Sequence, residues 1–257
     1  MALTPALFLH GFTGSGASWS PLAAELSDEL AARCPDLPGH AGAALPARLG
    51  REGFEATIAA LAAQLCEPAI VIGYSQGARL ALALAVRHPR KVSRLVLESG
   101  TAGLVRHRDR ALRRAEDEAR ASKLETQGVE AFIEDWERLP LFASVPPSPA
   151  LSRRRRSHSA AGLAGALRCF GLGVQPNFWP QLPRLHVPTL LITGGRDEKF
   201  TALARKMAAE LPLGWHVTVP HAGHAVHLEA PAEWVAEVRA FIRARFSHEH
   251  PEQETRT

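Results

Sequence analysis

Cysteine is scarce in this sequence, and long apolar runs are missing from it. Only Cys34, Cys66 and Cys169 occur in 257 residues. They are odd in number and far apart, with no Cys-x-x-Cys pair to suggest zinc or a redox couple, so they read as small buried hydrophobes. No stretch approaches the roughly 18 apolar residues that a membrane span requires. The apolar run at residues 6–9 is too short for a signal peptide and lacks its basic start, so a cytoplasmic protein without membrane insertion is expected. No internal repeat is present. The arginine run Arg153 to Arg156 has no aromatic stacking pattern or recognisable module beside it, which argues against a nucleic-acid partner. A formal charge of +4 equally suits an enzyme for polyanionic small molecules.

What is there is ordinary globular composition, 46% hydrophobic and 22% charged, enough for one large α/β unit. Short β-rich runs at residues 6–9, 69–72, 95–97, 189–193 and 216–219 alternate with amphipathic stretches. That alternation predicts a mostly parallel central sheet flanked by helices. Helices are predicted at 21–32, 54–66, 76–87 and 232–246. Between residues 97 and 189 about ninety residues show no convincing strand, too many for a plain connection. They read as a helical cap, with a basic helix at 106–124, a second at 129–139, a Pro-rich break at Pro146, Pro147 and Pro149, and a third helix at 160–172. The expected organisation is one domain over 1–257, with core at about 1–100 and 185–246, cap at about 101–184, and a frayed tail at 247–257.

Four loops carry chemistry. GYSQGAR at 73–79 joins a β-run to a helical run, the signature of a nucleophile elbow: Gly73 and Gly77 permit a sharp strand-to-helix turn that presents Ser75. HGF at 10–12, followed by the glycine-rich 13–16, follows the first strand. There the N–H of Phe12, together with that of Gln76, can form an oxyanion hole, while His10 reads as a structural hydrogen-bonding residue. GGRDEKF at 194–200 puts Asp197 at the carboxyl edge of the sheet, with Glu98 at another strand end as its rival. HAGHAVHLEAP at 221–231 follows the last strand, and His224, framed by Gly223, is the preferred base over His221 and His227. The chain order Ser75, Asp197, His224 fits a triad in which the carboxylate holds the imidazole and the imidazole takes the hydroxyl proton. Arg79, one helical turn after Ser75, can reach back toward the same pocket and favours an anionic substrate.

These motifs resemble the 2-succinyl-6-hydroxy-2,4-cyclohexadiene-1-carboxylate synthase family, lyases of menaquinone biosynthesis on the α/β-hydrolase fold. The resemblance covers most of the chain: FLHGFTGSG at 8–16, DLPGH at 36–40, GYSQGAR, LESGTAGL at 97–104, and Phe132, Trp136 and PLFAS at 140–144 in the cap. It continues through GLAGALRCFGLGVQPNFW at 162–179, GGRDEKF and AGHAVHLEAP at 222–231. The first, second and last of these are common to many hydrolases; the cap motifs, GYS-x-G-x-R and the Gln175-Pro176 stretch are the discriminating ones. The resemblance implies elimination of pyruvate from 2-succinyl-5-enolpyruvyl-6-hydroxy-3-cyclohexene-1-carboxylate, with Ser75 as base, no acyl-enzyme, no cofactor and no metal. It carries substrate binding onto Tyr74, Arg79, Arg113, Trp136 and one arginine among Arg153 to Arg156, by alignment Arg155, with Arg156 still open. Several carboxylates on one small molecule call for several fixed bidentate donors. The remaining cap arginines, Arg110 and Arg114 among them, read as a solvated helix face. The chain departs from the family pattern at Gln76, Ala78 and Ala41. A serine carboxylesterase of the same fold, acting on a small anionic ester through a covalent Ser75, is the alternative. A further alternative is a ligand-binding protein of this fold without activity.

Overall fold

The computed structural model describes residues 2–246; the tail expected at 247–257 lies outside the described residues. Six strands, β1 (Thr4–Leu9), β2 (Leu30–Arg33), β3 (Ala69–Tyr74), β4 (Val92–Glu98), β5 (Thr189–Gly194) and β6 (Gly214–Val219), form one sheet in the order β2-β1-β3-β4-β5-β6. Every neighbouring pair among them is parallel. The inner strands are buried on both faces, and their side chains divide with period two. In β3, Ala69 and Val71 enter one core cluster and Ile70 and Ile72 the other; in β1, Leu7 and Leu9 oppose Ala6 and Phe8.

Helices cover both faces. Outside the cap they are α1 (Ser20–Glu25), α2 (Gly50–Ala63), α3 (Gln76–Arg87), α7 (Glu198–Glu210), α8 (Val226–Glu229) and α9 (Pro231–Arg243). Between β4 and β5 lie α4 (His107–Glu137), α5 (Pro149–Arg156) and α6 (Ala160–Phe170). None of the described helices is long and apolar enough to cross a membrane.

Several expectations are corrected. The helix predicted at 21–32 ends at Glu25, and Leu30–Arg33 is the edge strand β2, paired with β1 in the register Thr4 to Leu30. Its sequence, LAAR, carries no β-branched residue and no alternation, so the pairing with β1 decides it rather than local propensity. The two helices predicted at 106–124 and 129–139 run together as α4, broken at Gly128, whose φ of 83° lies outside the helical region. The Pro-rich break opens α5: Pro149 occupies its first turn and the Ser148 side chain accepts a hydrogen bond from the Leu151 amide. Of the cysteines only Cys169 is buried, while Cys66 is exposed.

Gly77 shows why the elbow takes glycine there. A Cβ at that position would lie 2.0 Å from the carbonyl oxygen of Leu9, so α3 crosses β1 only without a side chain. Ala41 is the opposite case: it has a φ of 46°, in the left-handed region. That conformation costs an L-residue with a Cβ roughly 1–2 kcal/mol, partly offset by glycine's greater freedom when unfolded. Ala41→Gly is therefore expected to stabilise the fold by about 1 kcal/mol, seen as a rise of about 2–4 °C in Tm; an unchanged or lower Tm would contradict the strain.

Candidate active site

Four loop segments converge at the carboxyl ends of the strands. Ser75 follows β3 and precedes α3 with φ of 50°, its amide hydrogen-bonded to the carbonyl of Glu98 at 2.8 Å. A left-handed serine between strand and helix turns its hydroxyl out of the sheet, toward the loops after β5 and β6. Asp197 caps α7, and its Oδ1 accepts the Phe200 amide at 3.2 Å. His224 sits in the loop after β6, clamped by the Glu229 carboxylate, which accepts the amides of Gly223 at 2.7 Å and Ala225 at 3.1 Å.

Three side chains remote in sequence are thereby joined. His224 Nδ1 lies 2.6 Å from Asp197 Oδ2, and His224 Nε2 lies 3.1 Å from Ser75 Oγ. A carboxylate only accepts, so Nδ1 carries the proton and Nε2 is left to accept from the serine hydroxyl. His224 is 1% exposed and Asp197 8%, so the ion-stabilising contact between them is shielded from water.

The alternatives for acid and base separate cleanly. Glu98 is fully buried and accepts from the Nδ1 of His227 at 2.8 Å and from its amide at 3.1 Å. His227 in turn stacks against Trp19 and Tyr74. His221 is exposed beside Glu233. Neither histidine bonds to Ser75. His10 is placed as a structural group: its Nε2 accepts the Leu37 amide at 2.9 Å.

Ser75 and His224 open onto a cavity of about 350 Å³, whose walls include Phe12, Tyr74, Gln76, Arg79, Arg113 and Trp136. Gln76 is the first residue of α3, so its amide has no acceptor within the helix and is free for an oxygen in the cavity. Phe12 packs its ring on Trp136 and Phe132, fixing the loop after β1 to the cap. Burial holds the Tyr74 hydroxyl well above its ordinary pKa, with Glu98 adding to the effect, so it stays protonated and can donate.

Arg79 is a half-buried cation in the wall of the cavity. Its Nη1 donates to the carbonyl of Phe170 at 2.7 Å and to Gln175 Oε1 at 3.3 Å. Burial, and then the like charge of Arg113, push its pKa down to about 10, so it remains charged at neutral pH. Arg113 donates to Asp117 at 2.9 Å. Two guanidinium groups with one buried carboxylate leave a net positive end to the cavity.

Arg155 does not join this wall. It is nearly buried, but its guanidinium lies 3.3 Å from the Glu137 carboxylate and over the Phe142 ring at 5.5 Å. Arg156 pairs with the same carboxylate. Asp117, beside Arg113, and Lys199, which also lines the cavity, carry no motif that marks them in the sequence. The spacing of Arg113 and Asp117, four apart on a helix, was the available signal for the first. Among the described residues no group of three or more His, Cys, Asp or Glu is placed to hold a metal ion.

Comparison with known proteins shows the family to which the chain belongs. The family model for the alpha/beta hydrolase family matches residues 6–238. A Salmonella typhimurium protein named 2-succinyl-6-hydroxy-2,4-cyclohexadiene-1-carboxylate synthase is 35% identical over 93% of this chain and 94% of its own. A Serratia proteamaculans protein of the same name is 33% identical over 92% of each. The solved structure of MenH from S. aureus superposes with a TM-score of 0.89 at 32% identity, covering 95% of both chains. With such identity over nearly the whole of each partner, the chain belongs to the alpha/beta hydrolase family and, within it, to the 2-succinyl-6-hydroxy-2,4-cyclohexadiene-1-carboxylate synthases.

Proposed function

We propose that this lyase of menaquinone biosynthesis works by proton abstraction at Ser75. The substrate is the enolpyruvyl-bearing cyclohexene carboxylate and the product its conjugated diene. Ser75 Oγ removes the ring proton while passing its own to His224 Nε2, and Asp197 stabilises the resulting imidazolium. Negative charge develops on the neighbouring carbonyl oxygen and is received by the amides of Phe12 and Gln76. The electron pair then forms the new ring double bond, the carbon–oxygen bond breaks, and pyruvate leaves as its enolate and is reprotonated. No bond between enzyme and substrate forms at any stage.

One observation carries this reading: the serine–histidine–aspartate relay opens onto a cavity whose wall holds a partly buried, hydrogen-bonded arginine, Arg79. Arg79 and Arg113 bind substrate carboxylates, Tyr74 and Trp136 flank the ring, and Arg155 orders the cap through Glu137. The substrate is thus a small molecule bearing several carboxylates, and the site of action is the cytoplasm.

The test is to supply that substrate and follow pyruvate release together with diene absorbance. Wild type is expected to release both in equal amounts. Arg79→Ala, losing a charge-assisted contact of about 1.5–3 kcal/mol, is expected to lower kcat/KM roughly 10- to 100-fold. No turnover by folded protein, or a stoichiometric acyl-enzyme burst with a p-nitrophenyl ester trapped on Ser75, would favour the esterase instead.

A further inference from the structure

Behind the catalytic cavity lies a larger concavity, about 590 Å³, that the elimination does not use. Arginines from three helices meet in it: Arg51 of α2, Arg87 of α3, and Arg110 and Arg114 of α4, one turn apart. No carboxylate lines it. Two of them share one counter-charge, Glu55, on which Arg87 rests through two hydrogen bonds and Arg51 through one.

Each guanidinium is held in place by the protein itself. Arg87 also lies over the Phe178 ring at 5.6 Å. Arg110 donates to the carbonyls of Leu104 and Val105, and Arg114 to that of Gly173. These anchors occupy only part of the five donors of each group. The remaining N–H groups are pre-oriented, so a ligand ordering them loses little side-chain entropy.

Gln175 divides the two sites. It is 1% exposed; its Oε1 accepts from Arg79 on the cavity side and its Nε2 donates to the Thr101 carbonyl. The volume lies in the range of small-molecule sites and well above what a single phosphate needs. We propose that this groove binds a small polyanion carrying at least two anionic groups, through Arg51, Arg87, Arg110 and Arg114.

The test is calorimetric titration of the whole chain with inorganic pyrophosphate and, separately, with citrate, at low ionic strength. Pyrophosphate alone binding assigns a phosphate-bearing ligand, citrate alone a polycarboxylate, and both the shared anion chemistry. Arg51→Ala/Arg114→Ala, which removes two exposed side chains contributed by α2 and α4, is expected to weaken binding at least tenfold while elimination proceeds at the wild-type rate; Arg79→Ala is expected to bind normally. Absence of binding to wild type, retention of full affinity in the double variant, or loss of binding in Arg79→Ala, which would assign it to the catalytic cavity, each overturns the proposal. Since the readout is heat of binding, the outcome stands apart from whether the elimination itself is confirmed.

Discussion

Ser75→Ala is expected to lower pyruvate release by about two to four orders of magnitude, the usual contribution of a positioned general base, while Tm stays where it is. The change removes one hydroxyl that faces the cavity and leaves every backbone contact of the elbow, including the hydrogen bond from the residue 75 amide to the Glu98 carbonyl. Asp197→Asn is expected to be nearly as severe by another route. An amide at that position can donate to His224 Nδ1, which favours the tautomer with its proton on Nε2, the nitrogen that must accept from Ser75. Because the two variants disable one relay, combining them should cost little more than either alone. Elimination at the wild-type rate by Ser75→Ala would remove the serine from the reaction and with it the assignment of roles proposed here.

The relay was legible in the sequence because each of its parts lies in a loop flanked by an unambiguous strand. β3 and α3 meet at Ser75, β5 ends just before Asp197, and β6 leads to His224. In a parallel sheet all carboxyl ends share one rim, so residues within about five positions of those ends converge there by the alternation of elements alone. The cap offers no such rule. In α5, four consecutive arginines are spaced about 100° apart around the axis, so they cannot share a face. Packing turned Arg155 inward, and the carboxylate that meets it, on Glu137, comes from a different helix. Arg110 and Arg114 read as a solvated face for the same reason: nothing in α4 announces that α2 and α3 bring further arginines to meet them. Glu98 also ends a strand, and only the chain order Ser, Asp, His favours Asp197 over it in the sequence; in the structure Glu98 is bonded to the buried His227 instead.

Acid lability is the second large effect expected. His10, His40 and His158 meet edge to face in a row, with ring centroids 4.9 and 5.5 Å apart, where the loop after β1 meets the cap. Both outer rings are locked in neutral form by backbone amides. His10 Nε2 accepts from Leu37, and His158 Nδ1 accepts from Ala41 at 2.9 Å while its Nε2 donates to the Thr13 carbonyl at 3.0 Å. Protonation would set an N–H against an N–H. Burial accordingly pushes His10 down to about 4 and His40 well below the ordinary value of 6.5, and lowers His158; it outweighs the opposing pull of backbone carbonyls, Gly11 on His10 and Thr13 on His158, and of Asp36 on both. As pH falls below 6.5 the unfolded chain takes up protons that the native state refuses until about 4, so stability is intact above that window and declines through it. By pH 5 His10 alone should remove about 2 kcal/mol relative to pH 7.5, with His40 adding to it. Urea unfolding at the two pH values measures this directly. His158→Gln, which keeps a side chain able to accept and donate but cannot titrate, should flatten part of the decline, and a stability curve that is level between pH 7.5 and 5 would show that the three rings are not held neutral by the fold.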